Sequence, residues 1–514
     1  MTEMTESSTS RRAPWLRSVL AVSLPMALLG TVIAQSGDVA HAVPLSRSAT
    51  TGVAAAMGQV AGKAAWRPCA GNRELRCASL SVPVDWKAPN GPRVKLPVVK
   101  RMASDKRRVG TLVVNYGGPG ERHAQELASG TGAFARFGKR FDLVAFDTRD
   151  TLLKCGENLV VHGDKLPIIL GNRAAYDQRV RYNRALAKSC RAASGPVFGH
   201  VSAADIARDM EALRVFLKEP KLNYYGISYG TLIGQMYAER YPERLRTMVL
   251  DSVVDHSQKA PAFLAGAARA QEETVRAAAR WCARATSCAL HGRNAAARLK
   301  RLFTAAERGT LTEGGQPVDT SALLKRTYLG NQTEQAWPSF FQGLASYRIR
   351  KTPVKPAPLP QLPTKPGAPV HESRPTALIC ADWDFGPNGH KNAAALWKAS
   401  RTAAPHAYGN AWYQEWAARC AGWPRPAANP QHPLRAAKIP PALLLNARHD
   451  PATSHAWATR VGGQLPGSRL LTYQGTGHAV INFGGRCVTD AVYRYLFNGK
   501  LTGVPETCPG THRP

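Results

Sequence analysis

The chain has 514 residues, of which 44% are hydrophobic and 20% charged. This composition is typical of a globular protein with a large core, and it excludes a disordered chain. The formal net charge of +33 would attract anionic polymers at low salt, but no basic run is interleaved with aromatic residues as a nucleic-acid platform would be. We expect no specific nucleic-acid partner, and an electrostatic association with an anionic cell envelope stays open.

The first 42 residues predict a cleaved export signal. Arginines precede an apolar run at 19–34, and small residues up to Ala42 supply a cleavage site. The apolar run is about 16 residues long and contains Pro25, whereas a membrane-spanning helix needs roughly 20. We therefore expect a secreted chain without a transmembrane anchor. The adjacent Arg11 and Arg12 leave a twin-arginine route open.

The ten cysteines are an even set, which in an exported protein is usually oxidised. Cysteines that are neighbours along the chain would close short or moderate loops, although the sequence alone does not fix their connectivity. No C-x-x-C or Cys/His spacing supports metal ligation. The candidate disulfides are Cys69 with Cys77, Cys155 with Cys190, Cys282 with Cys288, Cys380 with Cys420, and Cys487 with Cys508.

The elements predicted along the chain describe an α/β protein with a mostly parallel, doubly wound sheet. Residues 43–102 predict a lead-in hairpin at the sheet edge, and short apolar runs then alternate with amphipathic stretches. Helices are predicted at 204–217 and from just after Ser228 to Pro242. The predicted strands of the sheet are 112–115, 143–146, 222–227, 247–250, 442–446 and 469–473.

The stretch 256–440 interrupts this rhythm and predicts an inserted, mainly helical cap domain. It begins with an alanine- and arginine-rich helical segment at 265–285. It also contains a proline-rich piece at 353–369, which we interpret as a semi-rigid connector. The core would then consist of residues 43–255 and 441–514.

The strongest local signal is the G-x-S-x-G motif at 226–230, which lies between a predicted strand and a predicted helix. That context exposes a serine on a strained strand-to-helix turn, so Ser228 is the candidate nucleophile. His478 follows the last predicted strand in a G-x-G-H sequence and is the candidate general base. Asp450 follows the strand before it and is the candidate acid, with Asp251 and Asp255 as rivals.

The oxyanion hole of such a site takes one backbone N–H from the residue after the nucleophile, here Tyr229. The second N–H comes from the loop after an earlier strand, and the glycine-rich stretch 115–120 fits that loop. Gly118 is the candidate donor in this loop, with Gly117 as the substitute.

These segments together resemble the secreted tripeptidyl aminopeptidases and the related proline iminopeptidases, which are serine peptidases of the α/β-hydrolase fold. The resemblance rests on 117–120, on 205–213 with the motif around Ser228, on 250–255, and on 449–453 with 475–478. It implies a serine exopeptidase that releases short peptides, tripeptides foremost, or single residues from free amino termini, beneath a helical cap. It implies no metal or organic cofactor.

Two loops depart from the pattern of the family. Members of the family usually carry an Asp-x-Arg-Gly sequence followed by glycine and serine. In the corresponding stretch of this chain, 147–152, Asp150 stands in place of the glycine. After Gly120 the chain has Glu121, Arg122 and His123 in place of small residues. Both loops border the site in the family, so substrate shape or oxyanion geometry would differ here.

An exopeptidase also needs an anion to hold the ammonium group of its substrate, because an unpaired buried charge is costly. Asp382 and Asp384 of the cap are candidates, and Glu272 and Glu273 are equally plausible. Two alternative functions stay open. One is a secreted esterase or lipase with the same machinery, and the other is a non-catalytic basic protein that binds the cell envelope.

Overall fold

The structure is a computed structural model that describes residues 65–354, 360–372 and 375–510. The predicted export signal at 1–42 lies outside these residues. In the described part of the chain the strands are β1 (Arg67–Cys69), β2 (Asn72–Pro83), β3 (Arg93–Arg101), β4 (Gly110–Asn115), β5 (Phe141–Phe146), β6 (Lys154–Gly156), β7 (Leu222–Ile227), β8 (Leu245–Asp251), β9 (Leu311–Glu313), β10 (Gln316–Pro317), β11 (Arg348–Ile349), β12 (Pro369–His371), β13 (Leu443–His449), β14 (Arg469–Thr476) and β15 (Thr507–Pro509).

The α-helices alternate with the strands in the first and last parts of the chain and dominate between β8 and β13. Those of the described residues are α1 (His123–Ser129), α2 (Glu157–Asp164), α3 (Arg173–Ser194), α4 (Ala203–Phe216), α5 (Tyr229–Arg240), α6 (Ala260–Arg284), α7 (Ala295–Glu307), α8 (Thr320–Gly330), α9 (Trp337–Ser346), α10 (Thr376–Asp382), α11 (His390–Ala403), α12 (Ala411–Cys420), α13 (His455–Gln464) and α14 (Gly485–Asn498).

Ten strands form one sheet in the order β1-β2-β3-β5-β4-β7-β8-β13-β14-β15. The pairs from β5 to β15 are all parallel, whereas β1, β2 and β3 join the edge as antiparallel strands. This arrangement confirms the predicted parallel sheet, its six predicted strands and the antiparallel lead-in at its edge. It also brings the carboxyl ends of five parallel strands to the same end of the sheet, namely those of β4, β7, β8, β13 and β14.

Helices cover both faces of the sheet, and the alternation of side chains shows why. On β4, Val113 contacts the hydrophobic cluster of one face, while Leu112 and Val114 belong to the cluster of the other. All six residues of β4 are buried. Strands buried on both faces are continuous apolar runs, which is the pattern that the sequence shows here.

Between β8 and β13, residues of α6 to α9 and α11 pack into a separate hydrophobic cluster that includes Leu299, Phe303 and Phe341. This segment also contacts the rest of the chain through β12, which pairs antiparallel with β6. The described residues form one compact unit. The boundaries of the cap at 256 and 440 therefore stay a prediction.

All five candidate disulfides are present, between Cys69 and Cys77, Cys155 and Cys190, Cys282 and Cys288, Cys380 and Cys420, and Cys487 and Cys508. Disulfides persist in oxidising compartments, which fits a protein outside the cytoplasm. None of the helices in the described ranges combines the length and the apolar character that crossing a membrane requires.

Candidate active site

Ser228 occupies the sharp turn between β7 and α5. Its backbone has φ +54° and ψ −119°, a conformation that is costly for any residue other than glycine. The turn requires glycine beside it, because a Cβ on Gly230 would lie 2.4 Å from Oδ1 of Asn115. The half-buried Ser228 is thereby placed at the carboxyl end of the sheet, where the motif predicts a nucleophile.

The loop that follows β4 touches this turn directly. A Cβ on Gly117 would lie 3.1 Å from Cβ of Ser228 and 2.9 Å from the carbonyl oxygen of Ile227, so only glycine allows the approach. The N–H of Gly117 donates to Oδ1 of Asn115 at 3.0 Å. Since that N–H is occupied, Gly118 is the better candidate for the oxyanion donor. The second candidate, the N–H of Tyr229, lies in the first turn of α5, where N–H groups lack an intrahelical acceptor.

His478 and Asp450 are in direct contact. Nδ1 of His478 lies 3.0 Å from Oδ2 of Asp450 and 3.1 Å from Oδ1. The carboxylate is fully buried, and it also accepts hydrogen bonds from the N–H groups of Ala452 and Thr453 and from the Thr453 hydroxyl, each at 2.8 Å. These donors hold the carboxylate in one orientation, with an oxygen facing the imidazole.

The surroundings of His478 favour its protonated form. Burial alone would lower the pKa of His478, but the charge of Asp450 and the hydrogen bond to it outweigh burial and raise the pKa above its usual range. A general base has to hold a proton as an imidazolium during the reaction. The pair is therefore suited to accept a proton from a neighbouring hydroxyl.

Asp251 and Ser252, at the end of β8, tie the two catalytic loops together. The backbone carbonyl of Asp251 accepts the N–H of Ser228 at 2.9 Å. Its side chain accepts the N–H of Val480 at 2.8 Å and that of Ile481 at 2.9 Å, and the Ser252 hydroxyl accepts the N–H of Ala479. Asp251, a rival acid in the sequence, thus binds the backbone just after His478 and acts as a positioning residue.

The other rival acid, Asp255, is also fully buried but has different partners. It accepts hydrogen bonds from the backbone N–H and the hydroxyl of Ser257 and from the side chain of Gln258. It also forms an ion pair with Arg460 at 2.8 Å. Its contacts therefore secure the loop after β8 and the helix α13, and Asp450 is the acid that meets His478.

The two loops that depart from the family pattern contact the glycine-rich loop from both sides. Nδ2 of Asn115 lies 3.1 Å from Nε2 of the buried His123, and Asn115 in turn accepts the N–H of Gly117. Asp150, 1% exposed, accepts the N–H of Gly120 at 2.8 Å. The sequence motifs do not indicate these positioning roles, because the tertiary fold determines which residues face Asn115 and Gly120. The only sequence signal was the departure from the family pattern.

The candidates for holding a substrate ammonium group fall in different environments. Asp382 is fully buried and accepts hydrogen bonds from the hydroxyl of Tyr229, the backbone N–H of Ala203 and the side chain of Asn429. Burial raises the pKa of Asp382 to about 7. These contacts make Asp382 a positioning residue behind Tyr229, and they leave the carboxylate no opening toward a substrate.

The remaining candidates differ in exposure. Glu272 is buried, and its carboxylate is engaged by the backbone of His406 and Ala407 and by Arg276. Glu273 is exposed on α6. Asp384 is exposed as well and lines a cavity of about 620 Å³. Of the two residues first proposed, only Asp384 is therefore accessible.

A parallel sheet with a strained serine turn, a glycine-rich loop against it and a His–Asp pair at the neighbouring strand ends defines a serine hydrolase of the α/β-hydrolase fold. Comparison with known proteins agrees, because the sequence profile described as "TAP-like protein" matches residues 404–508. This last part of the chain is thus similar to TAP-like proteins.

The curated relatives include both peptidases and esterases. The chain is 27% identical to a tripeptidyl aminopeptidase of Streptomyces lividans over 479 residues, which cover 87% of each chain. It is 26% identical to the serine protease Hip1 of Mycobacterium tuberculosis, over 86% of this chain and 90% of that protein. It is 29% identical to carboxylesterase B of Mycobacterium tuberculosis, over 85% of this chain and 86% of that protein.

Among solved structures, the chain is similar to the proline iminopeptidase of Mycobacterium smegmatis. The two share 14% sequence identity with a TM-score of 0.39, and the match covers 82% of this chain and 98% of that chain.

Proposed function

We propose that the protein is a secreted serine exopeptidase that releases short peptides, tripeptides foremost, from free peptide amino termini. The observation that carries this proposal is the His478–Asp450 pair, whose atoms lie 3.0 Å apart and whose loop is bonded to the same residue, Asp251, as the turn of Ser228. The relatives named tripeptidyl aminopeptidase and serine protease support the peptidase assignment.

The proposed reaction is acyl transfer. The hydroxyl oxygen of Ser228 attacks the peptide carbonyl carbon while Nε2 of His478 takes the hydroxyl proton. The N–H groups of Tyr229 and Gly118 stabilise the oxyanion that forms, and Asp450 stabilises the imidazolium. The C–N bond then breaks, and His478 gives its proton to the departing amine, which leaves an ester on Ser228.

Water completes the cycle by the same route. His478 takes a proton from water as the oxygen attacks the ester carbonyl, and it returns a proton to Ser228 when the ester bond breaks. The acyl group leaves as the carboxylic acid of the released peptide. No redox partner is needed, since each step transfers only protons and an acyl group.

An exopeptidase is distinguished from an esterase by its need for a free amino terminus. The test compares chromogenic tripeptide amides with free and acetylated amino termini, together with an uncharged ester of similar size, on the mature protein. The proposal expects cleavage of the free amide only or by a wide margin, and complete loss of it in Ser228→Ala. Equal cleavage of free and acetylated amides would contradict an exopeptidase and point to an endopeptidase or an esterase, and preference for the ester would support the carboxylesterase alternative that the third relative represents.

Asp384 is the candidate that the proposal retains for the substrate ammonium group. It faces an open cavity, although Arg184 and Arg425 line the same cavity and compete for its charge. Asp384→Asn should raise KM for the free amide with little change in kcat, because the contact would act on ground and transition state alike. Glu273→Gln tests the other exposed candidate, on α6, in the same assay. An unchanged KM in Asp384→Asn would remove Asp384 from the site.

Secretion is part of the proposal and rests on the five disulfides together with the export signal expected at 1–42. Expression of the full chain in a secreting bacterial host tests it. We expect a mature protein in the medium that begins near Val43. A chain retained in the cytoplasm with its first 42 residues intact would contradict secretion.

A further inference from the structure

A cavity of about 320 Å³ lies beside the candidate active site, at the carboxyl ends of β13 and β14. Its walls are the last turns of α6, the start of α9 and the end of β14, just before His478. Its lining includes none of Ser228, Asp450 or His478, so it is separate from the residues that carry the proposed reaction. Its volume is at the lower end of the range of ordinary small-ligand sites.

Two guanidinium groups face this cavity. Arg280 and Arg284 are four residues apart on α6, which places them on one face of the helix, one turn apart. Within the described ranges neither side chain forms an ion pair or a hydrogen bond. Other arginines of the chain do find carboxylates, as Arg276 does with Glu272 one turn earlier on the same helix. The pair therefore supplies positive charge that the described part of the protein does not neutralise.

A buried tryptophan lines the same cavity. Trp337 is 4% exposed, and its indole nitrogen Nε1 has no hydrogen-bond partner among the residues that the structure describes. A buried N–H without a partner is destabilising, so an acceptor at this position would be favoured. The ring of Trp281 packs against that of Trp337 with centroids 5.9 Å apart, which gives the cavity an aromatic wall.

The remaining polar groups limit the charge that the cavity can accept. Glu334 also lines it, with Oε1 accepting the N–H of Thr476 at 3.1 Å. Burial, together with the nearby Arg280, Arg448 and His455, lowers the pKa of the lining residue His449 to about 4, so His449 is neutral near pH 7. The formal charge of the lining is thus that of two arginines and one glutamate, which suits a monoanion better than a dianion.

We propose that this cavity is a binding site for a small organic carboxylate, held by Arg280 and Arg284, with a flat apolar group against Trp281 and Trp337. The planar fork of a guanidinium matches a carboxylate in two parallel hydrogen bonds. The indole N–H of Trp337 supplies a further donor. The free acid of a small molecule and the carboxyl terminus of a short peptide share this chemistry.

A ligand bound in this cavity would affect the loop that carries His478. Glu334 holds the N–H of Thr476, and Gly477 donates to the backbone carbonyl of His449, so the cavity wall and the approach to His478 share residues. A carboxylate bound to the arginines lies next to this wall. The ligand is therefore expected to alter the turnover of the enzyme as well as to bind.

Isothermal titration calorimetry with sodium benzoate tests binding, and benzamide is the uncharged control of the same shape. The Ser228→Ala variant serves as the titrated protein, so the result does not depend on turnover or on the proposed function. We expect benzoate to bind and benzamide to bind at least about tenfold more weakly, because the charge-assisted bonds are lost. Absence of binding up to about 10 mM, or equal binding of the two probes, would overturn the proposal.

Three variants locate the site. Arg280→Gln should weaken benzoate binding about tenfold, and Trp337→Phe, which removes the N–H and keeps an aromatic ring, should weaken it less. Arg269→Gln is the matched control, since Arg269 is an exposed arginine of the same helix outside the cavity. Equal weakening by Arg269→Gln would show nonspecific attraction by a basic surface and overturn the site. Tighter binding of inorganic phosphate than of benzoate would overturn the choice of a monoanionic carboxylate.

Discussion

Replacing Asp251 by asparagine tests whether the placement of His478 depends on the end of β8. The carboxylate of Asp251 accepts hydrogen bonds from the Tyr225 hydroxyl at 2.8 Å and from the N–H groups of Val480 and Ile481 at 2.8 and 2.9 Å. An asparagine keeps one acceptor oxygen and turns an NH₂ group toward donors. At least one buried donor of the loop after His478 then loses its acceptor.

The size of the effect follows from this count. One unpaired buried donor costs about 1–3 kcal/mol, and a hydrogen bond to a charged group contributes about 1.5–3 kcal/mol, so we expect a loss of about 2–4 kcal/mol. Domains are stable by about 5–15 kcal/mol, and the variant should therefore still fold. A displaced His478 raises the barrier of each proton transfer, so kcat should fall at least about tenfold, and KM should change little.

Asp255→Asn is the matched control for this experiment. Asp255 is buried to the same extent, but it binds Ser257, Gln258 and Arg460 and makes no hydrogen bond to the loop of His478 within the described ranges. Both variants should lower the midpoint of thermal unfolding, whereas only Asp251→Asn should lower kcat of the folded enzyme. The reasoning is refuted if Asp251→Asn keeps the kcat of the wild type or if Asp255→Asn loses as much.

Other predictions concern pH and the serine turn. Because Asp450 holds the pKa of His478 above its usual range, kcat/KM should rise with pH through a midpoint above about 6.5. In Asp450→Asn this midpoint should move to lower pH. A midpoint that stays in place would contradict the assigned pair. The protonated, paired form of His478 also stabilises the fold at acidic pH, a contribution that unfolding midpoints should lose as pH rises through the pKa of the folded state. Gly230→Ala should abolish turnover and lower stability, because its Cβ would lie 2.4 Å from Asn115. Gly463→Ala in α13, with open space around its Cβ, should leave activity unchanged and keep or slightly raise stability in the same two assays.

The sequence predicted the sheet and the turn because both depend on local patterns. Strands buried on both faces must be apolar throughout, as in β4, and a serine at a strained turn needs glycine where the backbones meet, as at Gly230. The pairing of the cysteines could be predicted for a similar reason, because the partners lie close together in the chain. The proximity of His478 to Asp450 required only the parallel order of the last strands.

The roles of the positioning residues could not be predicted in the same way. The sequence shows Asp251 at the end of a strand, but it does not show that the N–H groups of Val480 and Ile481 lie opposite its carboxylate, since they are more than two hundred residues away. Asp382 was a candidate for substrate contact because it lies in the cap. The structure buries it against Tyr229, an interaction between distant segments that no local pattern reports.

The hydrogen bond between Asp382 and Tyr229 has a consequence for exchanging parts between relatives. The carboxylate comes from the end of α10, between β8 and β13, and the hydroxyl belongs to the residue that follows Ser228. A chimera whose segment between β8 and β13 offers no acceptor at this position would leave a buried phenol without a partner. A functional graft of this segment therefore has to keep an acceptor for the hydroxyl of Tyr229.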